Sequence, residues 1–527
     1  MTTVMRGLDR LDALLARVTM YRFVIGVLLA LVAVYVVFTA TGVIEGLSTG
    51  ANLAALVVLV VASDLSNRVL GRVVGVRPHA ESALVTALLL FFLFVPLPTS
   101  SIADFAWLAA TAALAHASKY VIAWRGRHLL NPAAAGAVLV VLAQWAVGRD
   151  GTINAVWQTA ASEPMLPFVA VGALLVLWRT RRTAVGLTCV AVAGVLVVAA
   201  LTLELGMSTG DAVRLAATSY PLVFLAGFML TEPLTLPPRR PQQLAVATVV
   251  GVLLALPTAA VLIDWTVPTL GPLSLTPEVA LVLGNLLAFG FARRTGIELE
   301  VARVRPLGGD TVEVAFSPRR PVAFRAGQYL ELHLPHAGAD GRGVRRVLSI
   351  SSPPGAERLT VAVRVPQDGS TFKQALTGLA PGDRVHATGV HGDFVWDRRG
   401  RGSRRPLLLV AGGIGITPFM SQLRSRDPRD TVLVYGVSDG DAIAYRDELV
   451  AAGVRVVLVC PEPPADLPDS WQHVVAPALT PEVVADAAPD HRSRLAYLSG
   501  PPAMVTALRR GLRSRVAGVR TDAFVGY

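Results

Sequence analysis

The sequence predicts a multi-domain membrane protein: a ten-helix transmembrane bundle over residues 1–295, a small antiparallel β-barrel over 297–400 and a doubly wound α/β domain over 404–527. Three observations carry that expectation. The 527 residues are 53% hydrophobic and only 16% charged, too apolar for one globular domain. The apolar residues lie in long runs between Tyr21 and about Phe291. From Glu298 onward Arg, Asp and Glu recur regularly, and short alternating runs are separated by Gly and Pro.

A helix that crosses hydrocarbon needs roughly 20 apolar residues. Ten runs of that length or somewhat less are expected as spans, at about 21–43, 51–66, 81–97, 103–118, 131–147, 165–178, 184–204, 214–231, 243–263 and 277–292. Lys and Arg mark cytoplasmic loops. Arg6, Arg10, Arg17 and Arg22 precede the first run; Arg68, Arg72 and Arg77, then Lys119, Arg125 and Arg127, then Arg179, Arg181 and Arg182, then Arg239 and Arg240, then Arg293 and Arg294 follow every second one. The alternate loops carry mostly Asp and Glu. Both termini are therefore expected in the cytoplasm, on a multi-pass protein of the cell (plasma) membrane. Five spans per half would make any internal duplication an inverted one, although no repeat is legible in the sequence.

Composition excludes several classes. The net charge of +11 comes from basic residues in short loops, not from a patch interleaved with aromatics, so no nucleic-acid partner is expected. Cys189 and Cys460 cannot build a disulfide framework or a four-thiolate iron–sulfur site. The first apolar run exceeds signal-peptide length and lacks a small-residue cleavage site, so no cleavable leader is expected. Stacked haems need paired axial His on facing helices; His79, His116 and His128 do not offer them, and no metal is expected.

Two polar stretches interrupt the apolar runs near the cytoplasmic face. Arg127, His128, Asn131 and Pro132 open the fifth, and Thr231, Glu232, Pro233 and Pro237 close the eighth. An Asn-Pro or Glu-Pro step either frees backbone groups for a ligand or punctuates a helix at the interface. Together with Ser82 to Leu90 (SALVTALLL), Pro96, Pro98 and Ser118-Lys119-Tyr120, the segments HLLNPAA (His128 to Ala134) and Thr231 to Pro233 resemble the D subunit of the Rnf electron-transport complex and the B subunit of sodium-pumping NADH:quinone reductase, over about the first 295 residues. That resemblance implies ten helices with flavin inside the bundle. Those subunits attach FMN to a Thr in a Ser-Gly-Ala-Thr stretch; this chain has WQTAASEP (Trp157 to Pro164) there, with Thr159 as the candidate. A noncovalent FMN or other flavin near His128, Asn131 and Thr231 is the expectation that remains.

In the second half, Leu299–Val304, Thr311–Phe316, Leu330–Leu334 and Leu359–Val365 read as strands of an antiparallel barrel. FRAGQY (Phe324 to Tyr329) precedes RVLSISS (Arg346 to Ser352). A strand Arg can hold a pyrophosphate by charge-assisted hydrogen bonds, and a hydroxyl two or three residues on could reach a flavin ring. DGSTF (Asp368 to Phe372) reads as a Gly turn into a helix N-terminus, an anion site or simply a helix start. Pro381 to Asp383 and GVHGDF (Gly389 to Phe394) read as closing turns.

Beyond the Arg-rich linker at 397–405, the buried-strand run Leu407–Val410 leads into AGGIGITP (Ala411 to Pro418). Gly412, Gly413 and Gly415 would let the backbone approach a pyrophosphate, whose charge a following helix N-terminus meets. Thr431–Tyr435, Val454–Val459 and Leu495–Leu498, separated by helical sequence such as Tyr445–Ala452, complete a parallel sheet. Ser499, Gly500, Pro501 and Met504 lie past the last strand's C-terminal end, where such sheets bind ligands.

These pieces resemble the ferredoxin–NADP reductase superfamily over almost all of 297–527, which implies a β-barrel FAD-binding domain followed by a Rossmann-like NAD(P)-binding domain, with FAD and NADH or NADPH as cofactors. The resemblance implies Arg346 on the FAD diphosphate, Ser349 near flavin N5, and Gly369, Ser370 and Thr371 as the second phosphate contact. Gly412, Gly413, Gly415 and Thr417 would hold the nicotinamide nucleotide, and Tyr329, Val347, Leu348, Pro418, Gly500, Pro501, Met504 and Phe524 complete the cofactor-binding set. Ser349, Ser499 and Tyr527 are the catalytic candidates, Tyr527 as a cover for the flavin face. Leu348 stands where relatives usually have an aromatic, Ser499 replaces a frequent Cys, and no Cys-rich iron–sulfur segment adjoins the module.

The expected activity is hydride transfer from NAD(P)H to FAD, with single electrons passed on to the bundle and then to an extracytoplasmic flavoprotein or a quinone. Val437, Ser438 and Asp439 after Tyr435-Gly436 lack the basic residues that a 2′-phosphate calls for, which leans toward NADH. The alternatives are a redox-driven ion or solute transporter and a reductase merely anchored in lipid. Ten spans are excessive for an anchor.

Overall fold

The computed structural model describes residues 20–74, 78, 80–94, 101–124, 127–149, 153–157, 162–180, 182–237, 240–291, 296–338, 344–366, 369–396, 405–425, 429–440, 443–464 and 466–523. The chain divides into two compact units, 1–294 and 295–527.

The first unit is helical: α1 (Met20–Ala40), α2 (Thr49–Val73), α3 (Ala80–Leu93), α4 (Ile102–Val121), the strand pair β1 (Ala123–Trp124) and β2 (Arg127–His128), α5 (Pro132–Ala146), α6 (Leu166–Arg179), α7 (Thr183–Leu203), α8 (Thr209–Ser219), α9 (Leu222–Phe224, continued by a π-helical turn Leu225–Met229), α10 (Arg240–Ala259) and α11 (Pro277–Phe291). Helix is present at each apolar run, but length divides them. Among the described residues α1, α2, α7 and α10 with its 3-10 extension to Ile263 are long and apolar enough to cross a membrane; α8 and α9 add a fifth if their 55° bend interrupts one span. The apolar helices α3, α5, α6 and α11 have only 14 or 15 residues. Such a helix rises about 21 Å, short of a hydrocarbon core of about 30 Å. Ten crossings therefore exceed what the described helices show.

This unit has an apolar core, with Leu28, Phe91, Phe92 and Phe224 buried, but unlike a water-soluble domain it also buries isolated polar side chains and exposes rows of apolar ones. Asn52, Ser63 and Asn67 of α2, Thr111 and His116 of α4, and Asn285 of α11 are buried, while Leu53, Val57, Val61, Leu65 and Val69 form an exposed apolar line along α2 at four-residue spacing. Helices approach closely where residues are small: a Cβ on Gly136 would lie 2.6 Å from Ala115 Cβ. Neighbour relations also recur, since α2 packs on α3 and α4, and α4 on α5, just as α7 packs on α8 and α10, and α10 on α11.

The second unit opens with β3 (Ile297–Gly308), β4 (Thr311–Pro318), β5 (Tyr329–His333), β6 (Arg345–Ser349), β7 (Leu359–Arg364), α12 (Thr371–Thr377) and β8 (Arg384–His391). The strands pair antiparallel in the order β6-β5-β8-β3-β4-β7, and an Ile350–Val361 bridge links the two ends into a barrel. β8 lies at the sheet's centre, where the sequence suggests only turns. Its Arg, His and Thr residues conceal the apolar alternation that marks the other strands.

A parallel sheet follows: β9 (Leu407–Gly412), α13 (Thr417–Leu423), β10 (Thr431–Gly436), α14 (Arg446–Ala451), β11 (Arg455–Cys460), β12 (Trp471–Val475), α15 (Pro481–Ala487), β13 (Leu495–Gly500), α16 (Pro502–Leu512) and β14 (Gly518–Ala523). The order is β12-β11-β10-β9-β13-β14. Leu407, Leu409 and Ala411 pack with Phe419 and Met420 on one face, and Leu408 and Val410 with Val484, Leu508 and Leu512 on the other. Burial on both faces is why β9 reads as an unbroken apolar run. The sequence misses β12 and β14, whose edge positions leave residues such as Gln472, His473, Arg520 and Asp522 in the strands.

Leu409 is fully buried at the centre of this sheet. Leu409→Ala is expected to destabilise the α/β domain by about 2–5 kcal/mol, read as a lower denaturant midpoint for the domain's Trp471 fluorescence; an unchanged midpoint would contradict the packing described.

Candidate cofactor site

The site is built where β9 and β13 part. β9 has β10 on one side and β13 on the other, so the strand order reverses there and a crevice opens at the carboxyl ends. From the end of β9 the chain enters a 3-10 turn, Gly413–Ile416, and then α13. Thr417 Oγ1 donates to the Ile414 carbonyl (2.8 Å) and Pro418 occupies the first turn of α13, so both residues shape the loop.

The three glycines do different jobs. A Cβ on Gly415 would sit 2.3 Å from the Ser499 carbonyl, and one on Gly412 would sit 2.5 Å from Met504 Sδ. Both are needed for the loop to close on β13 and α16. Gly413, at φ +53°, faces open space instead, and is the one beside which a ligand could lie against bare backbone. Across the crevice, Gly500 has φ +150° and its Cβ position lies 2.7 Å from Met504 Cε, with Pro501 leading into α16. Ser499 is fully buried, and its hydroxyl has no partner among the described residues.

On the barrel, β6 carries Arg346, Val347, Leu348 and Ser349, and Tyr329 of β5 stands opposite Ser349. Arg346 and Ser349 are buried, Val347 is exposed and Leu348 is half-buried. The Arg346 guanidinium lies 5.1 Å over the Phe372 ring, beside the turn that holds Gly369, Ser370 and Thr371. Thr371 Oγ1 is hydrogen-bonded to His336 Nε2 at 3.0 Å, whereas the buried Ser370 hydroxyl has no partner among the described residues. Two orphaned hydroxyls, a strand arginine beside a glycine turn and open backbone at Gly413 fit two dinucleotides: buried polar groups normally find partners. Phe524 and Tyr527 lie outside the described residues, as does Thr159.

Sequence reasoning missed Asp522. β14 pairs with β13 so that Asp522 stands beside Ser499, and burial, reinforced by nearby Asp393, pushes its carboxyl up to about 6. A carboxylate in a strand not recognised as one leaves no signal to read.

In the first unit the two flagged stretches meet. His128 Nε2 and Glu232 Oε1 are 2.8 Å apart, Asn131 Nδ2 donates to Glu232 Oε2 (3.1 Å), and Asn131 N–H donates to Asn285 Oδ1 (2.8 Å). Asn131 also caps α5, its Oδ1 accepting from Ala134 N–H at 3.2 Å. Thr231 stands apart, just past the π-helical turn, its hydroxyl donating back to the Gly227 carbonyl of that turn (3.0 Å). Asn285 was missed, although a lone Asn in an apolar run is a signal in itself. It is fully buried, and its Nδ2 has no partner among the described residues.

Residues 409–510 match the family model of the oxidoreductase NAD-binding domain. The chain is similar to the reductase subunit of an aromatic O-demethylase from Amycolatopsis sp. (33% identical, covering 41% of this chain and 64% of that protein). It is also similar to ferredoxin–NADP reductase B of Sorangium cellulosum (36% identical, 29% of this chain and 63% of that protein). It thus spans just under two thirds of the length of these relatives. Among solved structures, a ferredoxin NADP+ reductase from Neisseria gonorrhoeae with bound FAD and NADP matches at 21% identity over 43% of this chain and 98% of that one, with a TM-score of 0.36; the fold assignment rests on the strand order above. By these matches the second unit is similar to FAD- and NAD-binding reductases of the ferredoxin–NADP reductase type, and residues 409–510 carry the likeness to their NAD-binding domain.

Gly413→Ala, which puts a methyl where the ligand would lie, is expected to weaken nucleotide binding to the FAD-loaded protein by about tenfold or more, the equivalent of roughly 1.4 kcal/mol, with a backbone strain of about 1–2 kcal/mol, while Gly415→Ala, whose Cβ meets the Ser499 carbonyl, lowers the stability of the α/β domain by more than that strain. Calorimetric titration with NAD+ and the denaturant midpoint check the two effects; equal midpoints for the two variants, or unchanged binding in Gly413→Ala, would contradict the division of labour.

The folded state holds the Asp522 proton more tightly than the unfolded chain, so its contribution to stability is full in acid and is lost as pH rises through about 6. Asp522→Asn should flatten the fall in Tm of the second unit between pH 4 and pH 7, both roughly chosen to bracket the two pKa values. An unchanged profile would contradict the assignment.

Proposed function

We propose that this chain is a membrane-bound oxidoreductase that takes reducing equivalents from NAD(P)H at a cytoplasmic module and passes them, by way of FAD, into or across the helical bundle. The observation that carries the proposal is the exposed apolar surface of the first unit, with the Leu53–Val69 line outside and Asn67, His116 and Asn285 inside, in one chain with a nicotinamide–flavin module. Water favours the opposite arrangement; lipid favours this one. The Lys- and Arg-rich loops support a cytoplasmic side for both termini.

FAD, when bound, accepts a hydride and releases single electrons. The residues around it do the rest. Arg346 and Ser370 would hold the FAD diphosphate, the Gly412–Thr417 loop would hold the nucleotide, and Ser499 would orient the nicotinamide toward the flavin near Ser349. Asp439 after β10 repels a 2′-phosphate, which favours NADH.

In the bundle, the His128–Asn131–Glu232–Asn285 cluster is proposed as the next station, a site for FMN, another flavin or a quinone. Asn285 Nδ2, which has no partner among the described residues, and the imidazole–carboxylate pair suit the carbonyl and imide edges of such rings. The Rnf-like and sodium-pump-like resemblance of the first 295 residues supports this, as does the fact that the named relatives are reductases, one of them the reductase subunit of an aromatic O-demethylase. The terminal acceptor is an extracytoplasmic flavoprotein or a quinone.

The test uses liposomes containing the full-length protein, with NADH outside and ferricyanide trapped inside. Reduction of the trapped acceptor is expected, slowed by Asn131→Ala and by Glu232→Gln. Reduction of external ferricyanide alone would reduce the bundle to an anchor. The repeated neighbour pattern of the two helical halves favours a second reading, redox-driven transport; charge movement that exceeds the electrons delivered, in the same vesicles, would establish it.

A further inference from the structure

Hydride transfer needs two rings held at near-attack distance, yet the flavin segment belongs to the barrel and the nucleotide loop to the parallel sheet. One short helix grips both. α13 starts at the glycine loop, and its far end holds the barrel: Ser421 Oγ donates to the Ser352 carbonyl (2.7 Å), Gln422 Nε2 to the Phe394 carbonyl (2.8 Å), and Arg424, one residue past the helix, to the Ser351 carbonyl (3.0 Å). Ser351 and Ser352 stand two and three residues after Ser349 in RVLSISS. The FRAGQY glycine makes room for this grip, since a Cβ on Gly327 (φ +93°) would lie 2.1 Å from the Phe394 carbonyl oxygen and 2.4 Å from Gln422 Nε2.

A second layer backs the first. Buried Glu313 of β4 accepts from Tyr445 OH (3.0 Å) and Ser351 Oγ (3.1 Å) at one oxygen and from Arg305 (2.8 Å) at the other. Arg305 also reaches Glu448 of α14 (2.7 Å), and the Arg424 guanidinium lies 5.0 Å over the Tyr445 ring. Tyr445 is fully buried at φ 61°, ψ 29°, a left-handed conformation rare for a bulky side chain. Such strain persists only where the surroundings hold it, and it gathers at functional sites.

We propose that Ser421, Arg424 and Tyr445 are positioning residues, and that α13 is a ruler of about 10 Å that sets the distance between nicotinamide and flavin without touching either. The inference rests on the reductase function proposed above. It deepens that function by naming what aligns the two cofactors.

The test is anaerobic rapid mixing of full-length, FAD-loaded protein with NADH, together with amide exchange across residues 350–352. For Ser421→Ala and Tyr445→Phe, the bleaching rate at saturating NADH should fall about tenfold or more, with half-saturation within about twofold, FAD retained and exchange at 350–352 faster. Ser421→Thr, which keeps the hydroxyl, should restore most of the rate. Full rate in both variants despite faster exchange would overturn the ruler, as would parallel loss of rate and affinity in both. A wild-type protein that is not bleached would sink the reductase function instead, so the two failures are distinguishable.

Discussion

The second unit depends on one constraint: a dinucleotide's charged phosphates must be met by backbone at a place where the sheet leaves a gap. Only the point where strand order reverses provides that gap, and β9 is the strand at which it does. Its two buried faces anchor the loop rigidly, so that Gly413 is presented to solvent while Gly412 and Gly415 lock the loop onto α16 and β13. The orphaned hydroxyls of Ser499 and Ser370 and the clamp at Ser351 and Ser352 are all positioned relative to this point.

Local signals carried much of this architecture in the sequence. AGGIGITP announces a strand, a tight turn and a helix start within eight residues, and the Leu407–Val410 run announces burial on both faces. RVLSISS and DGSTF were recognisable as chemistry, although the sequence gives no hint that Phe372 ties them together through Arg346. The misses share a cause. β8, β12 and β14 carry polar residues at positions that tertiary pairing buries or covers, so their periodicity is weak. Asp522 disappeared with β14, and Ser421, Arg424 and Tyr445 act through contacts with residues some 70 to 130 positions away, which no local pattern encodes. Gly412 and Gly415 have a second role that the motif does not announce, since they also yield space to Met504 and to the Ser499 carbonyl.

The first unit shows how composition and geometry diverge. Hydropathy marks every helix, but helix length separates the four full-length apolar helices and the bent pair from the short ones. The HLLNP and Thr-Glu-Pro stretches look like interfacial punctuation, and Asn131 does cap a helix. That same residue also joins His128, Glu232 and Asn285 in one buried network, so capping and ligand binding are compatible roles. An amide N–H without a partner among the described residues of an apolar bundle is costly, which is the physical reason to look for a guest at Asn285 Nδ2.

The most direct measurement is anaerobic titration of the detergent-purified, full-length protein with NADH, with bound cofactor identified by mass and absorbance. The account predicts tightly held FAD whose oxidised flavin band is lost in proportion to the NADH added. A colourless protein that neither takes up added FAD nor loses the band on NADH addition would contradict it.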